Sequence, residues 1–146
     1  MKSKQKQNFD LDLFLPYLLN QAAEVTSQNF QAVYKAEFGM TRTQWRVMAN
    51  LGKKGAMTAS EICRLTFVEK TKMSRAVQAL QENGFLMRGA IEGDRRSEML
   101  SLTAAGKMAF KTLGTRAIDY DQGLRERLGP VASQSLEKIL RLLIGS

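Results

Sequence analysis

The side chains best placed to do chemistry lie between Glu69 and Gly84, in the run EKTKMSRAVQALQENG. Thr71, Lys72, Ser74, Arg75 and Gln78 fall together on one side of a 3.6-residue period. Met73, Ala76, Val77 and Leu80, at i, i+3, i+4 and i+7, form an apolar stripe on the other side. The polar side offers positive charge for phosphates, and hydroxyl, amide and guanidinium groups that reach base edges. A helix lying in a major groove needs that combination. Solvated surface helices also carry lysine and arginine, so the neighbouring elements have to decide.

Composition narrows the chemistry. The 146 residues suffice for one domain with a real core, and the net charge of +8 favours polyanionic partners over neutral ones. Residues 53–96 hold nine Lys and Arg against five Asp and Glu, so half of the excess falls in under a third of the chain. Histidine is absent and Cys63 is the one cysteine, which removes the commonest general base and metal ligand and any internal disulfide. No enzyme motif, catalytic residue, metal site or cofactor is expected. The apolar runs fall well short of the ~20 residues that span a bilayer, and no secretory signal pattern is visible, so a cytoplasmic protein without membrane contact is expected.

The polar face has to be held by elements on either side. Met1 to Phe9 is polar, basic and without period, which reads as a frayed terminus, with a phosphate-contacting arm as the alternative. From about Leu13 a long helix is expected, with Phe14, Leu18, Val25, Val33, Tyr34 and Phe38 roughly on one side, Pro16 tolerated near the first turn and Gly39 as terminator. So long a stripe suits burial against a partner. Thr41 and Gln44 have capping-box spacing and open a second helix whose face is Trp45, Met48 and Leu51, closed by a loop from Gly52 to Gly55. Thr58 and Glu61 repeat the spacing and open a short third helix with Ile62, Cys63 and Leu65 inward. Cys63 reads as a buried, inert thiol. A turn from Thr66 to Val68 leads into the Glu69 helix, which Gly84 ends in a left-handed conformation.

After Gly84, FLMRGAIE and SEMLSLT flank Gly93-Asp94-Arg95-Arg96, a hairpin with a basic tip. Helix, turn, helix and hairpin make a winged helix. Ala56-Met57 is a candidate third strand, and Thr103 a cap for the helix running to about Arg127. After Gly129-Pro130, Leu136, Ile139, Leu140 and Leu143 mark a last helix. Gly106, Gly114 and Gly123 weaken the helix before it by roughly 1 kcal/mol each, which suggests close packing or a bend.

KTKMSRAVQALQENGFL followed by GDRRSEMLSLTAAG resembles the recognition helix and wing of the multiple antibiotic resistance regulator (MarR) family, with Asp94, Arg95 and Arg96 as its Asp-x-Arg pattern. TRTQWRVMANLGKKGAMTASEI is similar to that family's second helix and the start of its third. The resemblance implies a mostly α fold with a small β-hairpin wing over 1–146, a winged helix-turn-helix at 41–103, and dimerisation helices at 10–38 and 104–146. It implies a homodimeric repressor on a palindromic operator in double-stranded DNA. The matching DNA-binding positions are Lys70, Thr71, Lys72, Ser74, Arg75 and Gln78, with Arg96 at the wing tip, Arg95 beside it and Asp94 orienting Arg96 by a salt bridge. Val68 stands where a capping residue is favourable, so Glu69 is the alternative cap. Redox-sensing relatives carry a cysteine in the first helix, and this chain has none there. Relatives often bind aromatic carboxylates between the first, second and fifth helices. Tyr17, Trp45 and Arg46 are the candidates, with core packing for Trp45 and a salt bridge for Arg46 as plainer readings. The alternative function is a winged helix used for protein contacts alone; basic residues on both helix and wing argue against it.

Overall fold

A computed structural model of the chain describes residues 8–91 and 94–145, with the side chains of 91–97 outside the description. A 3-10 turn, Leu11–Leu13, leads into α1, Leu15–Phe38, with Pro16 in the first turn where its missing N–H is no loss. Gly39, at φ +64, ends α1 and returns its N–H to the Lys35 and Tyr34 carbonyls. α2 spans Arg42–Lys54, and its capping box is complete: Gln44 N–H donates to Thr41 Oγ1 at 3.2 Å and Thr41 N–H to Gln44 Oε1 at 3.3 Å.

α2 does not stop at Gly52 as the sequence suggests but runs on to Lys54. The glycine serves packing there: a Cβ at Gly52 would lie 2.4 Å from the Phe110 ring. β1, Met57–Thr58, is shifted one residue from the expected strand, and the Thr58 hydroxyl accepts the Glu61 N–H at 3.2 Å to open α3, Ala59–Thr66. Only Ile62 of α3 is buried. Cys63 is half-buried at the edge of the core, and Leu65 is 47 % exposed beside a hollow lined by Lys54, Met57 and Arg64, where no element covers it. The expectations of an inward Leu65 and a buried thiol are therefore corrected.

α3 ends at Phe67, at φ +57, where a side chain costs roughly 1 kcal/mol or more. α4, Lys70–Glu82, buries Met73, Ala76, Val77 and Leu80, as its periodicity requires. Each large member of that stripe contributes about 1.5–3 kcal/mol by leaving water. Glu69 is its N-cap but makes no side-chain cap hydrogen bond, and Gly84 turns the chain at φ +80.

β2, Leu86–Ile91, and β3, Asp94–Leu102, form the hairpin, and β1 joins the other side of β3, giving an antiparallel sheet of order β1-β3-β2. Of the expected tip Gly93-Asp94-Arg95-Arg96, the last three residues belong to β3, which starts at Asp94, and Gly93 lies outside the described residues. The register slips between Ala90 and Ile91. At the hairpin's base, the Thr103 hydroxyl donates to the Gly84 carbonyl at 2.6 Å and accepts the Gly106 N–H at 3.0 Å, capping α5, Ala104–Leu128. α6, Pro130–Ile144, folds back on α5. Arg125 of α5 joins them, reaching Asp121 at 2.8 Å and Glu137 of α6 at 2.9 Å.

The core gathers Val47, Met48 and Leu51 of α2, the α4 stripe, Leu86 and Leu100 of the sheet and Leu113 of α5. The α1 stripe divides: Tyr34 is buried in this core, beside Phe30, which the stripe did not include, while Phe14, Leu18 and Val25 are exposed. Leu136, Ile139 and Leu143 of α6 are exposed as well. Among the described residues no helix is long and apolar enough to cross a membrane.

Candidate nucleic-acid interface

α4 presents Lys70, Thr71, Lys72, Ser74, Arg75 and Gln78 to solvent, Lys70 at its first position and the others on the side away from its buried stripe. Among the described residues none of the three cations is in an ion pair. Gln78 is engaged, its amide donating to Glu82 at 3.2 Å. With no side-chain cap on α4, the N–H groups of its first turn keep their capacity to meet an anion. Asp94 and the two arginines after it lie on the first residues of β3; their side chains, and the expected Asp94 to Arg96 salt bridge, lie outside the described residues.

Two residues that position this face were not singled out from the sequence. Arg88 of β2 donates to Gln81 of α4 at 2.8 Å and pairs with Glu98 of β3 at 3.3 Å, so one guanidinium joins the helix to both strands of the wing. Its signal was weak, a lone arginine in a short strand. Phe67 is the other, in a turn that contains no glycine although its geometry favours one.

Beside this face an open trough of about 890 Å³ runs along the start of α2 and α4, bordered by Gln44, Phe67, Glu69, Lys72 and Arg75. A smaller cavity of about 300 Å³ lies between α1, α2 and α5. Its wall is aromatic: Phe30 lies 5.3–5.6 Å from the rings of Tyr34, Trp45 and Tyr120, and Tyr34 stacks on Trp45 at 5.9 Å. Tyr120 donates its hydroxyl to the Thr26 carbonyl at 2.7 Å, fixing α5 against α1.

Arg42 borders both trough and cavity and grips Glu24 with two hydrogen bonds, 2.8 and 3.1 Å. Those bonds hold the Glu24 carboxyl below its ordinary range, and burial pushes the Tyr34 phenol up. The structure brings Trp45 and Arg46 together at this cavity but leaves Tyr17 out. Tyr17 lies nine residues before Thr26 on the same helix, about 14 Å along its axis. Phe30, Tyr34 and Tyr120 supply the aromatic groups that line the cavity beside Trp45.

A helix-turn-helix whose second helix bears an exposed cationic face, followed by a two-stranded wing with a third strand at its side, defines the winged-helix DNA-binding class. A model of the MarR family matches residues 38–97, from the end of α1 into β3. The HTH-type transcriptional regulator YwoH of Bacillus subtilis (strain 168) is 23 % identical over 130 residues, covering 89 % of this chain and 93 % of that protein. The MarR family transcriptional regulator SPO1453 of Silicibacter pomeroyi DSS-3 superposes with a TM-score of 0.82 at 26 % identity, covering 94 % of this chain and 97 % of that one. A mutant MarR of E. coli, solved in complex with operator DNA, shares the fold at a TM-score of 0.80 and 19 % identity, over 94 % of this chain and 99 % of that one. The winged-helix part of the chain thus matches the MarR family model, and the chain as a whole is similar to winged-helix transcriptional regulators of that family.

Proposed function

We propose that the protein is a homodimeric repressor that sets α4 in the major groove of each half of a palindromic operator. The wing residues Asp94, Arg95 and Arg96 then address the adjacent minor groove. The observation that carries this is α4, where Lys72 and Arg75 stand opposite a fully buried stripe and Lys70 at the helix start, all three exposed and free of ion pairs among the described residues. The operator complex of the E. coli relative supports the same use of a shared fold. Residues 41–103 form the DNA-binding part, and 10–38 with 104–146 join two protomers through the exposed leucines of the terminal helices.

Release by a small aromatic acid completes the reading. The cavity between α1, α2 and α5 offers four aromatic rings for a ligand's ring, and Arg46, without an ion pair among the described residues, for its carboxylate. Because Trp45 is the chain's one tryptophan, its emission reports on this cavity directly. The test is a gel shift on duplexes enriched from a randomised pool, repeated with benzoate and hydroxybenzoates while Trp45 emission is followed. Enrichment of a palindrome is expected, with its release paralleling a change in emission. No enriched sequence would overturn DNA reading; enrichment with no response to the acids would remove ligand control alone.

A further inference from the structure

The turn between α3 and α4 carries two unfavourable features that the fold does not offset. Phe67 adopts φ +57, a conformation that L side chains seldom take and that glycine usually fills at a helix end. The residue is 95 % exposed, more than any other large hydrophobic residue among the described residues. Phe9, also exposed, at least packs edge-on against Phe14 at 5.4 Å, whereas Phe67 joins no aromatic pair among the described residues. The backbone N–H of Phe67 caps α3 through Cys63 O at 2.9 Å, and a glycine would make the same bond. Strain retained without structural gain points to use outside the fold.

The surroundings indicate the partner. Phe67 borders the trough together with Arg42, Arg46, Lys72 and Arg75, against one carboxylate, Glu69. Glu24 already engages Arg42, which leaves three cations around an exposed ring. A site for an apolar protein partner would be depleted of such charge at its centre, whereas a polyanion with apolar patches matches it. Phe67 also stands three residues before Lys70, the first residue of α4. The start of a helix that enters a groove is the part that meets base edges, so the ring sits at the mouth of the same groove.

We infer that Phe67 is an apolar DNA-contact residue, packing its ring on the hydrophobic surface at the groove edge, a thymine methyl or the face of a deoxyribose. The inference rests on the DNA-binding reading above. The test compares wild type, Phe67→Gly and Phe67→Leu for affinity to duplexes that the wild type enriches from a random pool, and for melting temperature. Phe67→Gly is expected to bind about tenfold more weakly while melting no lower than wild type, because glycine accepts the positive φ. Phe67→Leu, which keeps an apolar surface, is expected to stay within about threefold of wild type. Replacing thymine by uracil separates the two contacts: affinity that falls for wild type but not for Phe67→Gly marks a methyl, and no change marks a sugar. Equal affinity of Phe67→Gly and wild type would overturn the inference, and so would a lower melting temperature, which would give the ring a structural role. If the wild type enriches no duplex, the DNA-binding reading itself fails; if it does and the glycine variant is indifferent, only Phe67 is reassigned.

Discussion

At Gly106 a single hydrogen lets the wing lie against α5. A Cβ there would come within 2.0 Å of the Phe85 carbonyl oxygen, a backbone atom that cannot swing aside, while at Gly114 nothing stands within 4 Å. Gly106→Ala is therefore expected to destabilise by about 1–3 kcal/mol or more, and Gly114→Ala to stabilise by up to ~1 kcal/mol through helix propensity. Paired thermal melts check both, and equal effects would refute the packing argument. On the proposed DNA reading, the worth of Arg75 lies in binding. Its exposed position predicts that Arg75→Ala lowers DNA affinity by roughly 1–3 kcal/mol with melting temperature nearly unchanged. The wild-type protein should lose about 10³ to 10⁵ in affinity between 50 and 200 mM salt if 6 to 10 phosphates are met, and the variant should show a shallower slope. A flat titration would remove the face of α4 from the interface.

The elements show which signals are local. The Thr41 and Thr58 caps, the α4 stripe and the Gly84 turn were all legible, because each depends on residues a few positions apart. Gly52 was misread as a helix end because its meaning depends on Phe110, a residue of α5 distant in the chain. Tyr17, named with Trp45 and Arg46 from the resemblance, does not line the cavity those two border, and Tyr34 and Tyr120 do, because a sequence pattern gives the side of a helix but not the height at which a neighbour crosses it. The clamp between α1 and α2 was equally hidden, since Arg42 and Glu24 lie eighteen residues apart. It carries an expectation in acid. The Glu24 carboxyl is held low by Arg42, so the pair's stabilisation is fully present above the unfolded carboxylate's pKa and is lost as pH falls through the lower folded value. Glu24→Gln should therefore lower stability at neutral pH and flatten the acid limb of the melting curve; an unaltered acid limb would show that the clamp contributes nothing.

For the whole molecule, what is left bare matters most. Leu19, Leu124, Leu128, Leu136, Leu140 and Ile144 line an open apolar groove of about 550 Å³ between α1, α5 and α6. Ile139 and Leu143 continue it and take no part in the protomer's core, being 53 % and 61 % exposed. Ile139→Glu combined with Leu143→Glu should thus yield folded monomers in sedimentation, with weakened DNA binding because two half-sites are no longer joined. A dimer of undiminished stability would place the interface elsewhere. The sequence stripes signalled this surface but not its division, since Phe30 and Tyr34 of the same helix turn inward.

The stapled base of the wing has a mechanical consequence. Thr103 and Gly106 fix the start of α5 to Gly84 and Phe85, so the hairpin and that helix end turn as one piece. The six residues of β2 make a lever arm about 20 Å long, so tilting the start of α5 by roughly 5° swings the far end by about 2 Å. That sweep exceeds the tolerance of a hydrogen bond, so a slight tilt of one helix is enough to misalign the wing tip.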